Sequence, residues 1–171
     1  MRNVNISPDT VKSGIENVKW EGRLEVLGRS PLVVVDGAHN RASARALADS
    51  VKKIFKNKRI TLVFGASKDK DVKGVLEELL PIANSIILTK SKAVDRAMDS
   101  ALIEKIAHAG SAKIAHAGSA DGAHVECAAG VEEALDRALA GAGKEGMILI
   151  TGSLFIVADA KGYYKECVNI A

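Results

Sequence analysis

The run Pro31-Leu32-Val33-Val34-Val35 shows no alternation of polar and apolar side chains, so it reads as a strand covered on both faces. It breaks into Asp36-Gly37-Ala38-His39-Asn40, which puts a carboxylate, a glycine, an imidazole and a carboxamide into one short turn. Behind the turn, Ala44, Leu47, Val51 and Ile54 fall on one stripe of a helix predicted over about 41–55, with Asn40 suited to cap it. A buried strand, a polar turn and a helix in succession place side chains at the carboxyl edge of a parallel sheet, where open α/β folds bind ligands.

The same unit recurs along the chain. Arg59–Phe64 is a second buried strand that runs into Gly65-Ala66-Ser67-Lys68-Asp69-Lys70-Asp71. A helix follows with Val72, Val75, Leu76 and Leu79 at i, i+3, i+4 and i+7, and Pro81 ends it. Ser85–Thr89 is a third strand, and Met98, Ala101, Leu102 and Ile106 mark the next helix. A short strand is predicted near 123–127, then a helix whose stripe is Val131, Ala134, Leu135, Ala138 and Leu139. Glu132 and Glu133 in its first turn favour the helix dipole, and Gly141 and Gly143 stop it. Met147–Thr151 is the last strand and opens into Gly152-Ser153-Leu154-Phe155, with a closing helix or turn through Ala158. Upstream, Ser7-Pro8 starts a helix predicted within 7–19, and Leu24 and Val26 alternate with Glu25 as in a short strand with one exposed face. Strands alternating with amphipathic helices predict a three-layer α/β domain, a mostly parallel sheet flanked by helices. The strand ends at Asp36, Gly65 and Gly152 are expected to converge on one edge.

At 171 residues the chain is long enough for one domain with a sizeable core, and aromatics at 4% leave that core to Val, Ile, Leu and Ala. A formal charge of +3, with Lys and Arg scattered, gives no footprint for nucleic acid. Cys127 and Cys167 lack metal-type spacing and read as a buried, reduced pair, as in a cytosolic protein. No apolar run approaches the ~18 residues that span a bilayer, and Met1-Arg2-Asn3-Val4-Asn5 lacks the apolar stretch of a signal peptide, so the cytoplasm is the expected location.

Three turns carry chemistry, each with a plain structural alternative. In the first, Asp36 can accept from hydroxyls and His39 can bond a carboxylate or phosphate; otherwise the turn is a capped helix start. In the second, Ser67-Lys68-Asp69-Lys70-Asp71 form a charged loop beside a nucleotide, or a solvated turn with Asp69 or Asp71 as a helix cap. In the third, Thr151-Gly152-Ser153 offers free N–H groups to an anion, or Ser153 simply caps its helix. Ile-Ala-His-Ala-Gly-Ser-Ala occurs at 106–112 and again at 114–120, which reads as a short duplication that lengthens a loop or frays a helix end. It leads into Asp121-Gly122-Ala123-His124, a copy of the first turn with no buried strand before it and hence a decoy. His108, His116 and His124 sit in an Ala- and Gly-rich stretch without cysteine or paired carboxylates, so no metal site is expected there. Trp20 is expected to pack rather than to stack on a ligand. A Gly-x-x-x-x-Gly-Lys-Ser/Thr phosphate loop is missing; Gly143-Lys144-Glu145-Gly146 does not fit it.

Four stretches in order carry a resemblance: Trp20-Glu21-Gly22-Arg23-Leu24-Glu25, Asp36-Gly37-Ala38-His39-Asn40, Phe64-Gly65 with Asp69-Lys70-Asp71, and Thr151-Gly152-Ser153-Leu154. Together they resemble the C-terminal domain of folylpolyglutamate synthase/dihydrofolate synthase, a branch of the Mur ligases. The resemblance runs from about residue 7 to about 160. It implies a Rossmann-like C-terminal domain and an ATP-dependent amide ligase of folate and one-carbon metabolism. In such an enzyme a folate carboxylate is phosphorylated and the amine of glutamate attacks the acyl phosphate, with the developing charge met by magnesium and basic groups. On that model Arg23 and Asp36 contact the nucleotide, Asp36 through the ribose. His39 and Ser153 help to hold the incoming glutamate, and Asn40 and Lys70 are further candidates for the same cleft.

The family pattern has proline before Gly-Arg where this chain has Glu21. Gly37 and Arg41 replace the tyrosine and proline of the cell-wall ligases' Tyr-Ala-His-Asn-Pro type of motif, which favours the folate branch. The central domain that carries the phosphate loop and most metal ligands is not in this sequence. The chain is therefore expected to be one domain, 1–171, that needs an N-terminal and central ATPase domain as partner and is inactive alone. Another Mur-type amino-acid ligase and a non-catalytic small-ligand binding module are the alternatives.

Overall fold

The computed structural model describes residues 6–92, 95–111 and 124–170. A short helix α1 (Pro8–Glu16) leads to strands β1 (Glu25–Arg29) and β2 (Leu32–Val35), then helix α2 (Arg41–Ile54), strand β3 (Ile60–Phe64) and helix α3 (Val72–Leu79). Strand β4 (Ser85–Leu88), helix α4 (Ser100–Ser111), strand β5 (His124–Cys127), helix α5 (Val131–Ala142), strand β6 (Met147–Thr151) and helix α6 (Leu154–Ile170) follow. The sheet order is β1-β2-β6-β3-β4-β5, parallel throughout except for β1, which pairs antiparallel with β2.

Pleating divides the apolar strand residues between two cores. Val34, Leu62, Phe64, Ile86, Leu88 and Leu149 face α2, α3 and α4, whereas Val33, Val35, Val63, Ile148 and Ile150 face α5 and α6. Both faces are covered, as the unalternated valines of β2 require. The strand β6 sits between β2 and β3; its helix leaves toward one face while theirs leave toward the other. That reversal opens a crevice at the carboxyl ends of these strands.

The expected elements form, with differences that have physical causes. The N-terminal helix is shorter than 7–19, and Trp20 does not pack: it is 70% exposed. Leu24 stands before β1 at φ 42°, outside strand geometry, and packs on the core, whereas Val26 is exposed. The stripe expected on α4 is one position off. The N–H of Met98 is held by the Ala66 carbonyl ahead of the helix, so the buried face carries Ile103 and Ala107 while Leu102 is exposed. The closing element is a full helix to Ile170, since Ala160 and Tyr164 continue the stripe of Ile156 and Val157. Cys127 and Cys167 are free and half-buried rather than buried. Most of the duplication, His116, and residues 121–123 of the second Asp-Gly-Ala-His lie outside the described residues; His124 opens β5. Among the described residues no helix is long and apolar enough to cross a membrane.

Candidate functional site at the carboxyl edge of the sheet

The turn after β2 is built around Asp36. One carboxylate oxygen accepts the N–H of Ala38 at 2.8 Å and closes the turn; the other accepts the N–H of Leu24 at 2.8 Å. The Leu24 bond, with Gly37 N–H donating to the Gly22 carbonyl at 2.8 Å, folds the Trp20–Leu24 loop onto the strand end. Gly22 takes φ 68° in that loop. Arg23 is thereby set at the mouth, its guanidinium donating to the Gly22 carbonyl at 3.2 Å. Gly37 is closely approached: a side chain there would meet Arg23 Nη1 and Leu154 Cδ2.

His39 is half-buried and its Nδ1 lies 2.9 Å from the Gly37 carbonyl. A carbonyl only accepts, so the assigned tautomer carries hydrogen on Nδ1, and the neutral ring presents Nε2 as an acceptor. Asn40 caps α2 by accepting the Ser43 N–H at 2.9 Å, and Ser43 Oγ accepts the Asn40 N–H in return. The carboxamide oxygen of Asn40, an exposed residue, thus serves the helix. Arg23, Asp36 and His39 line one cavity of about 280 Å³ with Ser43, Leu47 and Ser50.

The neighbouring strand end is tied to this turn. Gly152 N–H and Thr151 Oγ1 both donate to the Ala38 carbonyl, at 3.0 and 3.3 Å. Gly152 has φ 104°, and a Cβ there would stand 2.5 Å from the Gly65 carbonyl oxygen. Ser153 is buried and its Oγ accepts the Phe155 N–H at 3.2 Å, which caps α6 and leaves the hydroxyl hydrogen to donate. It lines a small adjoining depression with Ser67, Ser91 and Phe155 rather than the Arg23 cavity.

On the third strand end, Lys70 is paired with Asp69 at 3.0 Å and lies outside the Arg23 cavity. Bonding to the Lys70 ammonium holds the Asp69 carboxyl below its usual range. Asp71 caps α3 by accepting the Gly74 N–H at 2.9 Å. Beside this loop, Lys90 pairs with Asp99, and Arg96 lies 5.9 Å over the ring of Phe155. Arg23, Asp36 and His39 are thus brought together, with Asn40 at their rim, while Ser153 and Lys70 stand one and two strands away. Sequence reasoning missed Ser43, which the Asn-x-x-Ser spacing of a capping box could have given, and Arg96, for which no local signal exists. It also missed Thr89, fully buried at the end of β4, whose hydroxyl has no hydrogen-bond partner among the described residues. Among the described residues no group of three or more His, Cys, Asp or Glu could hold a metal ion.

Residues 22–154 match the family model described as Mur ligase, glutamate ligase domain. A relative from Haloferax volcanii, "Probable bifunctional folylpolyglutamate synthase/dihydropteroate synthase", is 33% identical over 167 residues, which is 96% of this chain and 18% of the relative. The solved structure of Mycobacterium tuberculosis folylpolyglutamate synthase complexed with ADP superposes with TM-score 0.80 at 28% identity, covering 93% of this chain and 35% of that one. E. coli FolC in complex with DHPP and ADP gives TM-score 0.80 at 24% identity over 98% of this chain and 36% of that one. The chain therefore spans under a fifth of the Haloferax relative and about a third of the two solved proteins. Since the matched span contains the whole sheet and every strand end that bears the site, the chain belongs to the Mur ligase glutamate ligase domain family.

Proposed function

We propose that this chain is the C-terminal domain of an ATP-dependent ligase that joins glutamate to a folate, supplying nucleotide and glutamate contacts to a site completed by another domain. The observation that carries the reading is the gathering of Arg23, Asp36 and His39 around one open cavity at the carboxyl edge of a glutamate ligase domain. Arg23 offers a cation to a phosphate, and the free lone pairs of Asp36 accept from ribose hydroxyls. Nε2 of His39 accepts from the amine of the incoming glutamate, and the Ser153 hydroxyl donates to a glutamate carboxylate. Asn40, through its NH₂, and Lys70 flank the same edge. When nucleotide is bound in the completed ligase, it supplies the phosphoryl group that activates the folate carboxylate. The C–N bond then forms as the C–O bond to phosphate breaks, and the amine proton passes to an acceptor such as Nε2. No step runs through a metal held by this chain; a magnesium ion belongs to the partner ATPase domain.

A cavity of about 280 Å³ is below the roughly 300–1,000 Å³ of complete small-molecule sites, so it fits part of a nucleotide. Leu154, which approaches Gly37, and Phe155, on the adjoining depression, are 48% and 41% exposed, apolar surface suited to closure against a second domain. The chain alone is expected to be inactive. Soluble substrates of this kind fit the cytoplasm.

The test is ADP release with ATP, magnesium, glutamate and a reduced folate, using the chain alone and the chain mixed with the remaining portion of the M. tuberculosis synthase. Turnover only in the mixture, abolished by Asp36→Ala, is the expected result. Turnover by the chain alone contradicts the domain reading. Turnover in the mixture only with other amino-acid acceptors assigns it to another Mur-type branch. Tight nucleotide binding by the chain alone, with a silent mixture, makes it a binding module.

A further inference from the structure

The cations of the chain are scattered with one exception, the run Lys52-Lys53-Ile54-Phe55-Lys56-Asn57-Lys58-Arg59. These eight residues hold five of the 24 lysines and arginines and none of the 21 acids, so the rest of the chain sums to −2. The run covers the last turn of α2 and the loop into β3, at the amino edge of the sheet. Helix α2 has 14 residues and rises about 21 Å, which separates the run from the Asn40 cap and the site beside it.

The helix dipole accounts for Lys52 and Lys53 in the last turn, but Lys56, Lys58 and Arg59 lie beyond it. Cations that serve solubility alone are interspersed with acids, and these are not. Lys58 pairs with Glu145 at 3.5 Å; the side chains of Lys52, Lys53, Lys56 and Arg59 have no partner among the described residues. The same run borders a cavity of about 370 Å³, floored by Val51, Phe55, Pro81 and Ile82 and rimmed by Lys52, Lys56 and Lys58. Phe55 and Ile82 pack on the core, so the floor is held in place. This volume falls within the roughly 300–1,000 Å³ of small-molecule sites, unlike that of the Arg23 cavity. An apolar floor among unpaired ammonium and guanidinium groups fits a ligand with an aromatic head and a polyanionic tail.

We infer that this surface is a second binding site, for a folate that already carries several γ-linked glutamates. The pteroyl head occupies the cavity, and the free α-carboxylates of the tail lie on Lys52, Lys53, Lys56 and Arg59. The ligand is the product of the proposed function, and the inference rests on that reading. The test is equilibrium dialysis of the chain against pteroylmonoglutamate, pteroylpentaglutamate and penta-γ-glutamate without the pteroyl head. Each added carboxylate should tighten binding by roughly two- to fivefold at low salt, a gain that about 0.5 M NaCl largely erases. Lys53→Ala with Lys56→Ala should remove most of the gain without moving the melting temperature, and the headless tail should bind at least tenfold more weakly than pteroylpentaglutamate. Equal affinity for the one- and five-glutamate ligands, a headless tail that binds as tightly, or an oligothymidylate that matches pteroylpentaglutamate overturns the inference. So does a gain that survives K53A/K56A but is lost in His39→Ala, which puts the ligand at the turn after β2. Turnover in the reconstituted mixture with no tail-length gain in dialysis overturns the inference while sparing the proposed function. A lysine-dependent gain with a silent mixture does the reverse.

Discussion

Two junctions on the same sheet edge have the same plan of buried strand, polar turn and helix, yet their polar groups do different things. After β2, the Asp36 carboxylate reaches twelve residues back to Leu24 and organises a loop, which leaves Arg23 and the Nε2 of His39 facing a cavity. After β3, Asp69 and Lys70 neutralise each other and Asp71 caps its own helix. A polar turn frames a cavity when its groups hold distant backbone in place and leave other groups facing the opening. Where they pair locally, the same composition makes a solvated loop.

Gly152 joins the two junctions, so its substitution should have the largest effect. Gly152→Ala forces a side chain to φ 104° against the Gly65 carbonyl, and should cost roughly 2–4 kcal/mol, read as a drop of about 10 °C in a calorimetric melt. Asp36→Ala breaks only the first junction. Losing a charged acceptor for two backbone N–H groups should cost about 2–3 kcal/mol, against about 1 kcal/mol for Asp71→Ala, which removes a cap. Urea midpoints of the two variants give that ordering directly.

Gly37→Ala sharpens the comparison by separating site from stability. The new methyl meets only the flexible ends of Arg23 and Leu154, so stability should fall by less than about 1 kcal/mol while turnover in the reconstituted ligase falls by roughly tenfold or more. Beneath the first junction Lys161 pairs with Glu21 and Glu25 at 2.9 Å each, which adds a pH signature. Burial alone would raise the Glu25 carboxyl, but the Gly22 N–H and the Lys161 ammonium outweigh it and hold it below the ordinary 4.5. Bonding to Glu21, opposed by burial and reinforced by Glu25, pushes Lys161 above 10.5. A lowered carboxyl stabilises above pH 4.5 and loses that effect as pH falls through its folded value; a raised ammonium stabilises below pH 10.5 and loses it as pH rises through its own. The melting difference between the parent and Glu25→Gln should therefore be flat between these limits and shrink outside them.

Much of the first junction was legible because each part has a local signature. Three valines without alternation require burial on both faces, and Asn40 ahead of a periodic stripe requires a cap. The reach of Asp36 to Leu24 was not legible, since it joins residues far apart through a non-glycine residue at positive φ. Nor was the spacing of the candidates: β6 and β3 carry Ser153 and Lys70 one and two strands from the turn after β2. The stripe on α4 was misplaced by one position because a backbone bond from Met98 to Ala66 delays the start of the helix.

The most direct test compares His39→Ala with Lys70→Ala, one change in each junction, by ADP release in the reconstituted ligase at limiting glutamate. His39→Ala should lower turnover by about 10²-fold or more through the lost contact to the amine, and Lys70→Ala, which breaks an exposed pair, should stay within about threefold. Equal losses, or a larger loss at Lys70, would contradict the placement of the site at the turn after β2.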